Sequence, residues 1–224
     1  MAPGYKQTRA RSEEKKADQF ERILEAGKQL FIEKGTEGFS MRNLAEMLDM
    51  TKNNLYNYIE SKRELWIAIR NRFYNQFREE NIEIIRNHEG TTCDLIVEIF
   101  NHFFEFAERD FGVFTMMHTP TSAPHSNKPP GEFEKKYREF RLLDGNTKLL
   151  EQARDRGETK LTNPAIASLM LYSLLFGATY IDMNRRNGNP ILENIQLSIE
   201  DISSEDFQNY VISIIERLLK ENIL

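Results

Sequence analysis

Between Thr51 and Ile59 the chain reads TKNNLYNYI, a stretch without a single acid. Read as a helix, Leu55 and Ile59 form an inward i,i+4 pair. Lys52, Asn53, Tyr56, Asn57 and part of Tyr58 then turn outward. Ammonium, amide and phenol groups match the hydrogen-bonding edges of bases and the oxygens of phosphates, whereas a merely solvated helix face more often alternates Glu with Lys. Arg42 upstream and Lys62 downstream add two cations to the same neighbourhood. The plainer readings, Tyr56 as a packing aromatic and Arg42 and Lys62 as surface cations, stay open at this level.

A second concentration is apolar: Phe100, Phe103, Phe104, Phe106, Phe111, Phe114, Met116 and Met117 fall within 18 residues. Aromatic stripes at helical spacing are ordinarily core. The alternative is a pocket between helices, lined by rings and flexible Met side chains, that takes an apolar or amphipathic small molecule. Tyr137 and Phe140 are placed to close such a pocket, and His118, Asn101 or Tyr172 to supply its polar contact. No His/Cys/Asp/Glu cluster has metal-ligand spacing, since His88, His102, His118 and His125 are scattered. Neither a Gly-rich phosphate loop nor a Ser/His/Asp signature is present. The reading is therefore no enzyme, no metal and no cofactor. Cys93, the single cysteine, reads as a small buried hydrophobe.

These residues are carried by helices throughout, because apolar positions recur at helical spacing and strand-like alternation is not sustained. The fold class is all-α: an N-terminal three-helix head with a helix-turn-helix, residues 1–66, and a larger helical body, residues 67–224. The first helix is expected over Glu13–Lys34, closed by a left-handed Gly35. Ser40 caps Met41–Leu48, Thr51 caps Lys52–Ile59, and Ser61 with Glu64 makes a capping box that opens a helix to Asn87. Only Asp49 and Met50 separate the first two of these, which forces a steep turn. Further helices are expected over Thr92–Arg109, Phe111–His118, Phe133–Arg156 with a bend at Gly145, Asn163–Arg186 and Ser203–Asn222. The Pro-rich stretch 119–131 and residues 187–202 read as loops. On the last helix Phe207, Tyr210, Val211, Ile214, Ile215, Leu218 and Leu219 are assigned to the buried side.

Charge separates the two parts. The whole chain carries −5, but residues 1–66 hold 12 Lys and Arg against 11 Asp and Glu, which leaves −6 on the body. Nonspecific coating of nucleic acid is disfavoured, yet the head is left free to approach a polyanion. The basic residues Lys6, Arg9, Arg11, Lys15 and Lys16 are diluted by Glu13 and Glu14; a minor-groove arm and a solvated tail fit them equally. The N-terminus has no apolar secretory core, so a cytoplasmic protein is expected. Residues 161–181 carry no charge, but their apolar part spans only about 26 Å as a helix against roughly 30 Å of bilayer core, so a buried helix and no membrane partner are expected.

The stretch from Phe39 to Leu65 resembles the TetR family of transcriptional regulators. The likeness runs through Leu30-Phe31 to Gly35, Ser40, Leu44-Ala45, Asp49-Met50-Thr51, Leu55-Tyr56, Tyr58-Ile59 and Ser61-Lys62-Arg63-Glu64-Leu65. It covers about 50 residues, Phe20–Ile69. The resemblance implies that Arg42, Thr51, Lys52, Asn53, Tyr56, Asn57, Tyr58 and Lys62 work in or beside the major groove of double-stranded operator DNA. Two departures stand out: the usual turn Gly is Asp49, a residue that tolerates the left-handed conformation, and the small residue early in the recognition helix is Asn53.

The resemblance also implies a divergent body that binds a ligand and forms a homodimer, since two heads must reach major grooves about 34 Å apart. Ser173, Gly177 and Ala178, with Ile214, Ile215 and Leu218 of the last helix, are the expected interface. The whole is read as a ligand-responsive repressor that an apolar or amphipathic effector releases from DNA. The rival reading is a helical carrier of apolar ligands, or a scaffold, with no DNA role.

Overall fold

A computed structural model describes residues 4–118, 127–137, 143–186 and 202–221. Every regular element among the described residues is a helix: α1 Gly4–Gly38, α2 Met41–Met47, α3 Lys52–Leu55, α4 Lys62–Asn87, α5 Thr92–Arg109, α6 Phe111–His118, α7 Glu132–Tyr137, α8 Asp144–Asp155, α9 Pro164–Arg186 and α10 Ser204–Lys220. They belong to two compact units, Met1–Asn75 with Met116–Phe140 and Gln76–Thr115 with Arg141–Leu224. The first unit thus extends along α4 beyond residue 66 and takes in a distant segment.

In the first unit the core is Ile23, Leu24, Leu30 and Phe31 of α1 with Leu44, Leu55, Ile59, Leu65, Trp66 and Ile69. Trp66 is held edge-on by Phe31 and Phe39, with ring centroids 4.8 and 5.6 Å away, a geometry that aligns ring edges with π faces. Helix α1 begins earlier than expected, and Gly35 interrupts it at φ 63°, the left-handed value its missing Cβ permits.

In the second unit α5 packs on α8, α9 and α10, and α9 also packs on α8 and α10. Thr91 and Asp94 form a full capping box at the start of α5, satisfying backbone donors that the helix leaves orphaned. Phe100, Phe103, Phe104 and Phe106 are buried, while Asp94, Glu98, Asn101, Glu105 and Glu108 form the exposed stripe of the same helix. Asp182 at the end of α9 is buried but accepts hydrogen bonds from Arg185 at 2.7 Å and Ser204 at 3.0 Å, which joins α9 to α10. A buried charge is tolerable only with such partners. Cys93 is buried, and burial, with Glu158 and Asp94 nearby, pushes its thiol up, as suits an inert core residue.

Several expectations are corrected by packing. The helix expected over residues 133–156 is interrupted at Leu143, a turn residue that precedes α8, while residues 138–142 lie outside the described residues. Tyr210 is 66% exposed, because α10 turns Val211, Ile212, Ile215 and Leu219 inward instead. Ile215 and Ala178, both expected at a dimer interface, are core residues of the protomer at 0% and 7% exposure. The capping box at Ser61 is half-made: Ser61 accepts from the Glu64 N–H at 3.0 Å, but the Glu64 carboxylate is buried and turns away to the backbone of Phe133.

Candidate functional site

Helix α2 starts at Ser40, whose hydroxyl accepts from the Asn43 N–H at 3.1 Å, and ends in a turn in which Met50 N–H donates to the Ala45 carbonyl at 2.9 Å. Asp49 closes that turn at φ 51°, taking the left-handed conformation that a Gly would adopt without strain. Thr51 then caps α3 through the Asn54 N–H at 3.2 Å.

Regular α-helix lasts only from Lys52 to Leu55. The path continues to Ile59 through a tighter turn in which Asn57 and Tyr58 donate to carbonyls three residues back. Leu55 and Ile59 are buried as the spacing requires, and Thr51, Lys52, Asn53, Tyr56 and Asn57 are exposed, with Tyr58 half-buried. The structure therefore presents one contiguous acid-free polar face.

Arg42 lies on α2 with its guanidinium 3.0 Å from Glu46, both side chains largely in water. The pair is an exposed i,i+4 contact that a stronger anion can displace. Lys62, the first residue of α4, has its ammonium 5.7 Å from the Phe39 ring centroid. There it is held where the N-terminal N–H groups of α4 and its own charge would act on the same anion.

A contributor that local pattern does not show is the segment 127–137. The Lys128 ammonium sits 4.6 Å from the centre of the Tyr56 ring and donates to the Glu60 carbonyl. Glu64 accepts from the Phe133 N–H at 2.7 Å, Arg63 pairs with Glu134 at 2.9 Å, and the Phe133 ring stacks on Phe20 at 5.5 Å. Nothing in the spacing of residues 127–137 announces these partners, most of which lie some 70 positions away along the chain and one of which, Phe20, lies still further.

Of the expected pocket residues, Phe103, Phe114 and Tyr172 come together in the second unit. Phe103 meets Phe114 edge-on at 5.2 Å and Tyr172 at 6.3 Å; Phe114 also faces Phe111 and Phe176. Phe176 was missed, although Tyr172, Phe176 and Tyr180 follow at i,i+4 and stack along α9 at 6.1 and 5.8 Å. Phe104 is buried nearby on α5, but Asn101 lies on the exposed stripe and so contributes nothing to a buried pocket. Met117 and His118 belong to the first unit. Burial, followed by the charge of Arg70, pushes the His118 imidazole down to about 3, so it is neutral at physiological pH. Phe140 and the side chain of Tyr137 lie outside the described residues.

On α9 and α10 the interface candidates divide. Ser173 is exposed, Gly177, Ile214 and Leu218 are half-buried, and a Cβ built on Gly177 would meet open space. Around them Ile166, Leu169, Met170, Leu174 and Ile181 stand exposed on α9. By length and composition α9 could cross a membrane, but one face of it is packed within the unit.

Comparison with known proteins falls on the same residues. The profile of the bacterial regulatory proteins of the tetR family matches residues 23–69. The chain is 25% identical over 194 residues to the HTH-type transcriptional repressor NemR of Escherichia coli K12, covering 83% of this chain and 94% of that one. Among solved structures it is similar to AibR in complex with isovaleryl coenzyme A and operator DNA, at a TM-score of 0.62 and 17% identity over 91% of this chain and 99% of that one. It is also similar to the fatty acid degradation regulator FadR of Bacillus halodurans, at a TM-score of 0.62 and 14% identity over 90% and 94%.

Proposed function

We propose that the chain, whose residues 23–69 match the bacterial regulatory proteins of the tetR family, is a DNA-binding transcriptional repressor that works as a cytoplasmic homodimer and leaves its operator when a small amphipathic effector binds the body. The observation that carries this reading is the acid-free face of Lys52, Asn53, Tyr56 and Asn57, set on a helix-turn-helix whose buried side is fully packed. Lys52, Asn53 and Asn57 read base edges. Arg42, Thr51, Tyr56, Tyr58 and Lys62 hold phosphates and fix the register.

The dimer is supported by the apolar face of α9, whose exposed Ile166, Leu169, Leu174 and Ile181 flank Ser173 and Gly177. A contiguous patch of that kind is the expected mark of a protein partner. Half-buried Ile214 and Leu218 of α10 extend it. Covering this face with a second copy serves the same apolar surface that a membrane would, and leaves no membrane partner to invoke.

For the effector, the rings of Phe103, Phe111, Phe114, Tyr172 and Phe176 cluster in the second unit, and an effector would enter by parting them, since Phe103 and Phe114 are buried. An acyl chain or similar apolar group suits this cluster, in keeping with the isovaleryl coenzyme A bound by AibR and the fatty-acid role of FadR. To release DNA the effector must bind the non-binding state more tightly than the binding one. A mobility shift with the DNA upstream of the protein's own coding sequence tests the reading. Salt-dependent binding that Lys62→Ala weakens, with the slope of log K against log salt reduced by about one, supports it; no binding there or in a genome-wide selection overturns it.

A further inference from the structure

The strap formed by residues 127–134 is fastened to α1 and α4, the helices that flank the helix-turn-helix, at several independent points. Gly131 lies so close to Glu64 that an added Cβ would stand within 2.5 Å of the carboxylate atoms, and the neighbouring Phe133 N–H donates to that carboxylate. Glu64 is 3% exposed and its second oxygen has no hydrogen-bond partner, so the strap's backbone is what makes this burial tolerable. Arg63–Glu134, the Phe20–Phe133 stack and the Asn71 side chain reaching the Phe133 carbonyl complete the attachment. Two consecutive prolines, Pro129 and Pro130, join this anchor to Lys128 and restrict the backbone between them.

The outcome is a cation delivered to the recognition face from outside the helix-turn-helix. Lys128 is exposed, stands over the ring of Tyr56 and donates to the carbonyl of Glu60, at the end of the polar face that begins at Thr51. We propose that Lys128 is a DNA-contacting residue: it grips a phosphate of the duplex backbone beside the one held by Tyr56. The strap is thus part of the DNA interface. This rests on the reading of the chain as a DNA-binding regulator and adds to it a residue outside the matched stretch 23–69. The ammonium of Lys128 already bonds a neutral carbonyl oxygen. A phosphate oxygen, being charged, accepts from it more strongly, and the flexible lysine stem can deliver the ammonium to that phosphate without disturbing the anchor at Gly131 and Phe133.

The experiment measures operator binding of the full-length protein against salt concentration. Lys128→Gln is expected to lower the slope of log K against log salt by about one and to weaken binding roughly eightfold at 0.1 M salt. Lys128→Arg restores the slope, and Lys136→Gln, an exposed lysine further along the same segment, leaves both values at wild type. Gly131→Ala, which displaces the strap at Glu64, is expected to lose the same increment, with no further loss in the double variant with Lys128→Gln. A slope unchanged by Lys128→Gln overturns the proposal even if affinity falls, because Lys128 would then only fasten the strap. In that case Lys62→Ala still lowers the slope and the regulator reading stands. Absence of salt-dependent binding by the folded wild-type protein overturns both.

Discussion

The two units place their polar groups in opposite ways. In the first, the groups singled out by type and spacing lie outward on a short, tightly capped turn, and the core beneath them is built from aliphatic residues around Trp66. In the second, a polar network joins α4 to α5 around one buried imidazole: His102 bridges Glu80 at 2.7 Å and Asn81 at 3.0 Å beneath the stacked ring of Phe77, and Arg109 closes on the same Glu80 from the surface. The difference teaches where each unit's specificity resides. A surface that reads a common polymer needs a local, exposed motif, whereas a body that answers to its own ligand is defined by which rings meet across helices.

The sharpest way to break that contrast is to damage both cores equally. Trp66→Ala and Phe114→Ala each remove a side chain that is at most 1% exposed, and each is expected to cost about 3–5 kcal/mol in urea or thermal unfolding. At a temperature where both variants remain folded, Trp66→Ala should depress operator binding, while Phe114→Ala should chiefly alter the response to effector. Equal loss of DNA binding in both would show that the two units do not divide the work.

A pH titration comes next. Burial raises the Glu80 carboxyl, but hydrogen bonds from Arg109, His102 and Gln76 and the charge of Arg109 outweigh it and hold the group at about 2, below its ordinary 4.5. The folded value is depressed, so the stabilisation is fully present above pH 4.5 and is lost as pH falls towards 2. It amounts to at most about 3 kcal/mol. Glu80→Gln should flatten the acid limb of the stability curve; an unchanged limb would remove the network from the account.

Gly177→Phe sharpens the comparison at the face of α9. A Cβ there meets nothing within 4 Å in the protomer, so the protomer should fold normally while association weakens by about 1–3 kcal/mol, the usual scale of overpacking. Sedimentation at micromolar concentration reads it, and a variant that still dimerises normally would move the interface elsewhere.

The smallest effect is expected from the caps. Thr51→Ala and Thr91→Ala each delete a side chain that accepts a backbone N–H at a helix start, and each should cost about 1 kcal/mol of stability. Only Thr51→Ala should weaken DNA binding beyond that cost. Equal binding by the two variants would mean that Thr51 serves the helix alone.

What was legible in the sequence is what depends on neighbours along the chain. Helix starts at Ser40 and Thr51, the left-handed Gly35 and Asp49, and the inward Leu55–Ile59 pair all follow from interactions within about four residues, where residue type alone selects the conformation; the caps at Thr91 and Ser203 are equally local but were not singled out. The acid-free face of Thr51–Ile59 belongs to the same class. Tertiary structure alone decided the rest. Glu64 was spaced for a capping box, yet it is buried against a backbone 69 residues away. Ala178 and Ile215 were as apolar as their exposed neighbours, and only the packing of α5, α8, α9 and α10 determined which side of each helix faces inward. A helix apolar on two faces carries no mark of which face is core, because burial depends on distant elements that periodicity does not encode. For the same reason Lys128 passed as one lysine in a Pro-rich loop until the strap set it over Tyr56.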